Sequence, residues 1–179
     1  KASGSKELAH EYTKCILFDY SYKYFYSDNY GKDFFVYNLE KEAYIKKFPL
    51  LLTADLLAYY EQLILFEKQS KIVKEINVEK PLWVFVGSKV SGKGVDSDVV
   101  RIVEYLKNIL ENESELKENV NLILSGESGL REESKDEDIF KDKFRELRNS
   151  PPDIDDIYEK VFHGKGSLKL FQIKNALSL

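Results

Sequence analysis

The sequence predicts an α/β protein in which a partial parallel sheet is flanked by helices and preceded by a linker and a helical region. Three consecutive features predict the sheet. Residues 81–86, Pro-Leu-Trp-Val-Phe-Val, form a short apolar run that begins at a proline and is rich in β-branched and aromatic side chains, as in a buried strand. A glycine-rich loop follows over residues 87–94. Apolar residues then recur at helical spacing, at Val99, Ile102, Val103, Leu106, Ile109 and Leu110.

The glycine-rich loop partly matches the phosphate-binding pattern of nucleotide-binding proteins. Gly87, Gly92 and Lys93 occupy three of its fixed positions, where backbone N–H groups and a lysine surround phosphates. Gly94 stands where that pattern has a hydroxyl for Mg²⁺, and acids such as Asp96 at the next helix start would repel a phosphate. Three interpretations stay open: a nucleotide site, a surface loop and, as we prefer, a loop that contacts a ligand's backbone at the edge of an open sheet.

Bulk composition excludes several classes of protein. Hydrophobic residues make up 43% of the 179 residues, so a core is expected, and the net charge of −4 does not indicate a strongly basic nucleic-acid binder. Cys15 is the one cysteine, which rules out an internal disulfide and fits a reducing cytoplasm. The two histidines lie far apart in sequence, so no metal site is expected. We expect neither a membrane span nor a signal peptide, and therefore a cytoplasmic location.

Two features of the sequence suggest a fragment of a larger protein. It has no methionine and begins at Lys1, and it ends at Leu179 in the middle of a sequence pattern. Either the chain is a piece of a longer protein, or methionines are missing from the sequence and some spacings are short by one residue.

The aromatic run at residues 19–26 allows two interpretations. Strict alternation, which periodicity slightly favours, would make it a strand with one tyrosine face, formed by Tyr20, Tyr22, Tyr24 and Tyr26. Alternatively, Ser21 caps a short helix. We expect the aromatic side chains to be core rather than a nucleic-acid stacking platform, because each ring buries a large area. Short strands are predicted at residues 15–18 and 34–37, after a loose lead-in over residues 1–11.

The rest of the chain alternates predicted helices and strands. A long helix capped by Thr53 has an apolar stripe formed by Leu56, Leu57, Tyr60, Leu63 and Ile64. Residues 120–124 predict a second strand of the sheet, and the charged residues 125–138 predict an exposed loop. Two further helices follow, separated by Pro151, with inward residues Ile139, Phe140, Phe144 and Leu147 in the first and Ile154, Ile157, Tyr158 and Val161 in the second. A turn at residues 163–166 precedes a last strand at residues 168–173.

No catalytic residue is predicted. The carboxylates of residues 127–138 form a charge-rich run that is typical of solvated surface. Residues 125–129, Ser-Gly-Glu-Ser-Gly, resemble a nucleophile elbow only in outline, because Glu127 stands where the nucleophile would be.

Three separated stretches carry a resemblance to one family: residues 19–34, residues 80–88, Lys-Pro-Leu-Trp-Val-Phe-Val-Gly-Ser, and residues 156–176. In this order they resemble parts of the superfamily-two (DEAD/DEAH-box) helicases, and in particular of the helicase (restriction) subunits of type III restriction enzymes. The first stretch resembles the crossover that leaves the first motor domain. The second resembles motif IV, the opening strand of the second RecA-like domain, and the third resembles a later part of that domain. The resemblance implies an inter-domain crossover and helical region over residues 1–79 and a truncated RecA-like domain over residues 80–179, and it favours the short helix near Tyr22.

The resemblance implies a fragment of a bacterial ATP-dependent DNA translocase from a type III restriction–modification system. Such a parent uses ATP and Mg²⁺, acts on double-stranded DNA and works with a DNA methyltransferase subunit. The Walker lysine and the arginine finger of the family are absent here, so the fragment is expected to be inactive and to need no cofactor. By similarity to motif IV, Ser88 and Lys89, with Lys93 nearby, are candidates for contacts with the DNA backbone.

Two other functions stay open. A stand-alone P-loop nucleoside triphosphatase would use Gly87, Gly92 and Lys93. A non-catalytic interaction domain would dock a partner through the aromatic run, and exposure of its tyrosines would favour that function.

Overall fold

The computed structural model describes residues 6–15, 20–31, 47–86, 98–131, 137–167, 171–173 and 176–178. Contacts divide the chain into two units, Lys1–Leu39 and Glu40–Leu179. The elements are α1 Lys6–Cys15, α2 Tyr22–Ser27, α3 Phe48–Lys68, α4 Ser70–Glu75, α5 Asp98–Glu111, α6 Glu113–Ser125, α7 Arg145–Asn149, α8 Ile154–Phe162, β1 Phe171–Ile173 and β2 Ala176–Ser178. The domain boundary predicted between residues 79 and 80 stays a prediction.

The predicted parallel sheet is wrong. In the described ranges the strands form one antiparallel pair, β1 with β2, in which Gln172 lies opposite Leu177. Residues 120–124, predicted as a sheet strand, lie within α6, and residues 81–86 have no regular secondary structure. A short apolar run does not by itself distinguish a strand from a turn of buried helix, so the flanking residues decide. The partial RecA-like sheet that the resemblance implied is likewise absent from the described part of the chain.

The unit Lys1–Leu39 contains α1 and α2. Residues 6–11, predicted as part of a loose lead-in, are helical, and α1 also takes in Cys15, predicted as the start of a strand. The short-helix interpretation of the aromatic run is confirmed by α2. Ser21 lies at its N-cap with extended backbone, although its side chain makes no capping hydrogen bond. The strand predicted at residues 34–37 falls outside the described residues.

In the unit Glu40–Leu179, α3 is the central helix and packs against α6 and α8. Four members of its predicted apolar stripe are buried, Leu56, Leu57, Tyr60 and Leu63. The helix begins earlier than predicted, at Phe48, with Pro49 in its first turn, where a missing N–H costs little. Thr53 therefore lies inside the helix instead of capping it, and its hydroxyl donates to the Pro49 carbonyl at 2.8 Å.

The length of α3 also corrects an expectation about membranes. By length and composition alone this helix could cross a bilayer, contrary to the expectation that no such stretch exists. Its buried face belongs to the core of the unit, which is the usual position of an apolar helix of this kind.

Helices α5 and α6 pack against each other. The helix predicted after the glycine-rich loop is confirmed by α5, whose predicted inward residues Val103, Leu106 and Ile109 are buried. The sequence places either Asp96 or Ser97 to cap this helix, and both lie outside the described residues.

Both ends of α6 carry helix signals. At the start, the Asn112 side chain accepts from the Glu115 N–H at 3.4 Å and donates to the Glu115 carboxylate at 3.1 Å. At the end, Gly126 has a φ of 75°, and the N–H of Glu127 donates to the Leu122 carbonyl at 3.0 Å. This is the Schellman arrangement, which favours glycine at the left-handed position. These caps explain why residues 120–124 are helical.

Residues 139–147, predicted as one helix, form turns that lead into the short α7. Phe144 has a φ of 57° at the N-cap of α7, which interrupts a continuous helix. The Arg148 side chain donates to the carbonyls of Phe140 and Lys143 and so links α7 to these turns. Three of the predicted inward residues are buried: Ile139, Phe140 and Leu147.

The helix predicted after Pro151, for which the sequence offers Asp153 as the cap, is confirmed by α8. Asp153 occupies the N-cap, but its side chain makes no capping hydrogen bond. The hydroxyl of the buried Tyr158 donates to the Ile109 carbonyl, which ties α8 to α5. His163 then adopts a left-handed conformation and ends the helix at the predicted turn.

Candidate interaction surfaces

Residues 81–86, named here the apolar arm, follow α4 and expose three aliphatic side chains. The exposed fractions are 83% for Leu82, 69% for Val84 and 92% for Val86, so the predicted burial of this stretch is wrong. A single exposed aliphatic residue is ordinary in a folded protein. Three at alternate positions of one segment form a continuous apolar surface, which is typical of an interaction site.

The arm is held against α3 by aromatic contacts. The ring of Tyr59, on α3, stacks on Trp83 with centroids 5.8 Å apart and planes 21° from parallel. The Tyr59 hydroxyl donates to the Pro81 carbonyl at 3.3 Å, and the Phe85 ring lies 4.6 Å from Trp83. Contact between side chains two residues apart fits the period of an extended chain. Trp83 thus packs on α3 and Phe85 packs on Trp83, whereas the three aliphatic side chains are the most exposed of the arm.

Helix α2 carries a second exposed apolar surface, in the other unit. Tyr22, Phe25 and Tyr26 lie on one face, with the Tyr22 ring centroid 6.3 Å from that of Phe25 and 6.1 Å from that of Tyr26. All three side chains are exposed, so the expectation that the aromatic run is core is wrong. Beside them, the Tyr20 hydroxyl donates to Asp28 at 2.5 Å, and this bond to a carboxylate raises the pKa of Tyr20.

The predicted site residues lie outside the described residues. This holds for the candidate DNA contacts Ser88, Lys89 and Lys93 and for the phosphate-loop candidates Gly87 and Gly92. Their roles stay predictions. The buried strand predicted to precede them is nevertheless wrong, because residues 81–86 have no regular secondary structure and expose Leu82, Val84 and Val86.

Asp138 organises a turn that sequence reasoning missed. Its carboxylate accepts from the Ser128 hydroxyl at 2.7 Å and from the N–H groups of Gly129 at 3.1 Å and Phe140 at 3.0 Å. The buried Ser128 hydroxyl also accepts from the Leu130 N–H at 3.1 Å. The Ser128 hydroxyl and the Asp138 carboxylate therefore both accept hydrogen bonds from backbone N–H groups of the turn. They are not arranged as a nucleophile and its base. A serine next to a glycine, followed later by an aspartate, is compatible with this kind of side-chain-to-backbone bonding but does not specify it.

An acidic cleft of about 380 Å³ lies between α3 and the segment that joins α7 to α8. The buried Tyr60 donates its hydroxyl to Asp156 at one wall. Burial, with the nearby charge of Glu146, raises the pKa of Glu61. The Lys68 ammonium nitrogen lies 3.6 Å from a carboxylate oxygen of Glu146. The cleft favours a cationic group, but in the described ranges no three His, Cys, Asp or Glu side chains are placed to bind a metal ion together.

Comparison with known proteins adds no assignment, since no protein-family model, curated protein or solved structure matches the chain. Among the described residues, polar side chains such as Asp138 and Arg148 stabilise turns, whereas Leu82, Val84 and Val86 are exposed on a segment that is held in place.

Proposed function

We propose that this chain acts by binding another protein and is not a catalyst in its own right. The apolar arm carries the proposal. Folding leaves its three aliphatic side chains in water, although removing such side chains from water is favourable by about 1.5–3 kcal/mol each. Docking of a partner would recover that free energy. Tyr59 already holds the arm in one position, so little ordering remains to oppose docking.

The exposed aromatic surface of α2 also supports this proposal. Tyrosine and phenylalanine are enriched at the centres of protein interfaces. A nucleic-acid stacking platform would need cations beside the rings to contact phosphates. Within α2, Lys23 is the one cation, so a protein partner is favoured over a nucleic acid.

Photo-crosslinking in cells tests the binding function. A photoreactive amino acid is placed at Leu82 or at Tyr24, which is 54% exposed, and the matched control replaces the exposed, charged Lys74. We expect discrete crosslinked products from Leu82 and Tyr24 that the Lys74 position does not give. Absence of products at both positions, or the same products from Lys74, would reject the proposal.

We further propose, from the sequence resemblance, that the parent protein is an ATP-dependent DNA translocase of a type III restriction–modification system. The order of the three similar stretches supports it. The parallel sheet is not part of this proposal, and the chain itself would be a non-catalytic piece. Its parent would be cytoplasmic, with ATP, Mg²⁺, double-stranded DNA and a DNA methyltransferase subunit as cofactors and partners.

DNA titration at several salt concentrations tests this parentage. Weak binding that falls with salt and is reduced by Lys89→Ala and Lys93→Ala would support it, because each lost cation removes a phosphate contact. Binding that both variants leave unchanged would reject these roles. In parallel, titration with ATP and Mg²⁺ should release no heat, whereas heat that Lys93→Ala abolishes would favour the nucleoside triphosphatase.

A further inference from the structure

Within the described part of the chain, the backbone N–H and C=O groups of residues 82–86 have no hydrogen-bond partner. The preceding Pro81 carbonyl accepts from Tyr59. In an extended segment these groups point sideways, roughly perpendicular to the side chains. With one face packed on α3, the arm therefore presents open hydrogen-bonding edges like those of an edge strand.

The chemistry of the arm selects its occupant. Residues 81–86 carry no charged side chain, so phosphate groups would find no cation there and a nucleic acid is disfavoured. A ligand that covers only the aliphatic side chains would leave the N–H and C=O groups unsatisfied and cut off from water. Another extended strand satisfies both requirements at once.

A second copy of this chain is too small an occupant. Two copies joined through residues 81–86 would each contribute a six-residue segment. A stable interface takes about 20–30 residues a side. Pairing of two arms would also give only an isolated two-stranded ribbon, which is marginal in water, whereas a sheet that already exists gains the arm as a further strand. The partner strand is therefore better supplied by the sheet of a larger protein, which can cover a short segment from more than one side.

We propose that the apolar arm docks by strand addition, with residues 82–86 pairing with the exposed edge strand of a sheet in a larger partner protein. The side chains of Leu82, Val84 and Val86 then pack against apolar side chains of that sheet. This inference rests on the proposed binding function and specifies its site and the chemistry of the partner.

A strand peptide tests the inference on the full chain. The probe is an acetylated peptide of alternating valine and threonine with a lysine at each end. Its control, the twin, is a peptide of the same sequence with N-methyl groups on two adjacent central residues. These groups remove one N–H donor from each hydrogen-bonding edge of the peptide and so block pairing along both edges. Binding is followed by amide NMR shifts and hydrogen exchange. We expect saturable shifts confined to the arm and about tenfold slower exchange at bonded amides, equivalent to about 1.4 kcal/mol, with no effect of the twin.

Variants of the arm separate backbone pairing from apolar contact. Val84→Pro and Phe85→Pro remove N–H groups from opposite edges, so one of them should weaken binding by about tenfold, since a lost ladder bond and local distortion amount to about 1.4 kcal/mol. Val84→Thr keeps the N–H and replaces one methyl group by a hydroxyl, so it loses part of the apolar contact and should weaken binding by much less than the effective proline variant. Thermal melts of each variant establish that the helices remain folded.

Three outcomes would overturn the inference: equal binding of the peptide and its twin, no binding, or arm amides that are already protected in the free chain. Sedimentation tells whether protection in the free chain comes from a second copy. These failures are distinct from failure of the binding function. Crosslinks from Leu82 without pairing of the peptide would retain the proposed binding function and reject strand addition. Pairing of the peptide without any crosslinks would support strand addition and reject the binding function in cells.

Discussion

Residues 120–124 and the apolar arm are two short apolar runs of similar composition with opposite fates. The first lies in α6, where Ile123 is fully buried, whereas in the second Val86 is 92% exposed. The first run is bounded by the Asn112 cap and by Gly126, which together specify a helix. The second begins at Pro81, has no such cap and holds to α3 only by one face. Neighbouring residues, more than hydrophobicity, decide which apolar runs are buried.

The largest expected effect compares leucines in these two kinds of environment. Leu57→Ala removes a fully buried side chain from α3 and should lower the free energy of unfolding by about 2–5 kcal/mol. Leu82→Ala, in the arm, should change it by no more than about 0.5 kcal/mol. Urea denaturation measures both. Similar losses for the two variants would mean that the arm belongs to the core.

A second comparison uses two tyrosine hydroxyls. Tyr158→Phe leaves the Ile109 carbonyl unsatisfied in the interior and should cost about 1–3 kcal/mol of stability. Tyr59→Phe keeps the ring that stacks on Trp83 and removes only a long bond to Pro81, so its cost should stay below about 0.5 kcal/mol. Thermal denaturation of both variants measures the difference. A loss of stability in Tyr59→Phe equal to that in Tyr158→Phe would contradict this prediction.

The helix stop after α6 predicts a smaller effect. Gly126→Ala places a side chain at a φ of 75° and should destabilise the protein by about 1–2 kcal/mol. Gly166→Ala is the matched control, because a Cβ there meets nothing within 4 Å. Urea denaturation of both variants is the measurement, and equal stability would remove the Schellman end as an explanation of α6.

The smallest expected effect depends on pH. Burial, with the nearby Glu146, raises the pKa of Glu61 above its ordinary value of 4.5, so the folded chain holds that proton more tightly than the unfolded chain. The associated stability is present below pH 4.5 and is lost as the pH rises through the raised pKa. Glu61→Gln should therefore stabilise the protein at neutral pH by a fraction of a kcal/mol, a gain that vanishes in acid. The exposed Glu118→Gln is the control, and a Glu61→Gln variant less stable than the native chain at neutral pH would contradict this account.

Helices with long apolar periodicity were predictable from sequence, and α3, α5 and α8 each bury residues assigned to them in advance. Their stripes repeat over several turns, which fixes both the type of structure and the inward face. Residues 120–124 failed because five residues are too few to separate periods of 2 and 3.6. Gly126 was visible in the sequence but falls in the stretch predicted as an exposed loop, residues 125–138, and Asn112 was not recognised as a helix cap.

The candidate surfaces were less predictable. Composition alone indicates that Trp83 and its neighbours are apolar, but not whether another part of the chain covers them. The run around Tyr22 was predicted as core for the same reason. The turn organised by Asp138 depends on contacts ten residues apart with Ser128, which no local pattern specifies. The roles of Ser88, Lys89 and Lys93 remain predictions from the resemblance.

Amide hydrogen exchange of the free chain tests the central contrast most directly. The amides of Ile123 and Leu124, bonded within α6, should exchange slowly, at rates set by opening of the core. Those of Val84 and Val86 should exchange at nearly the rate of an unstructured peptide, because their N–H groups have no hydrogen-bond partner within the described part of the chain. Protection of the arm amides as strong as that of α6 would show that residues 81–86 form a paired strand in the free protein and would contradict the account.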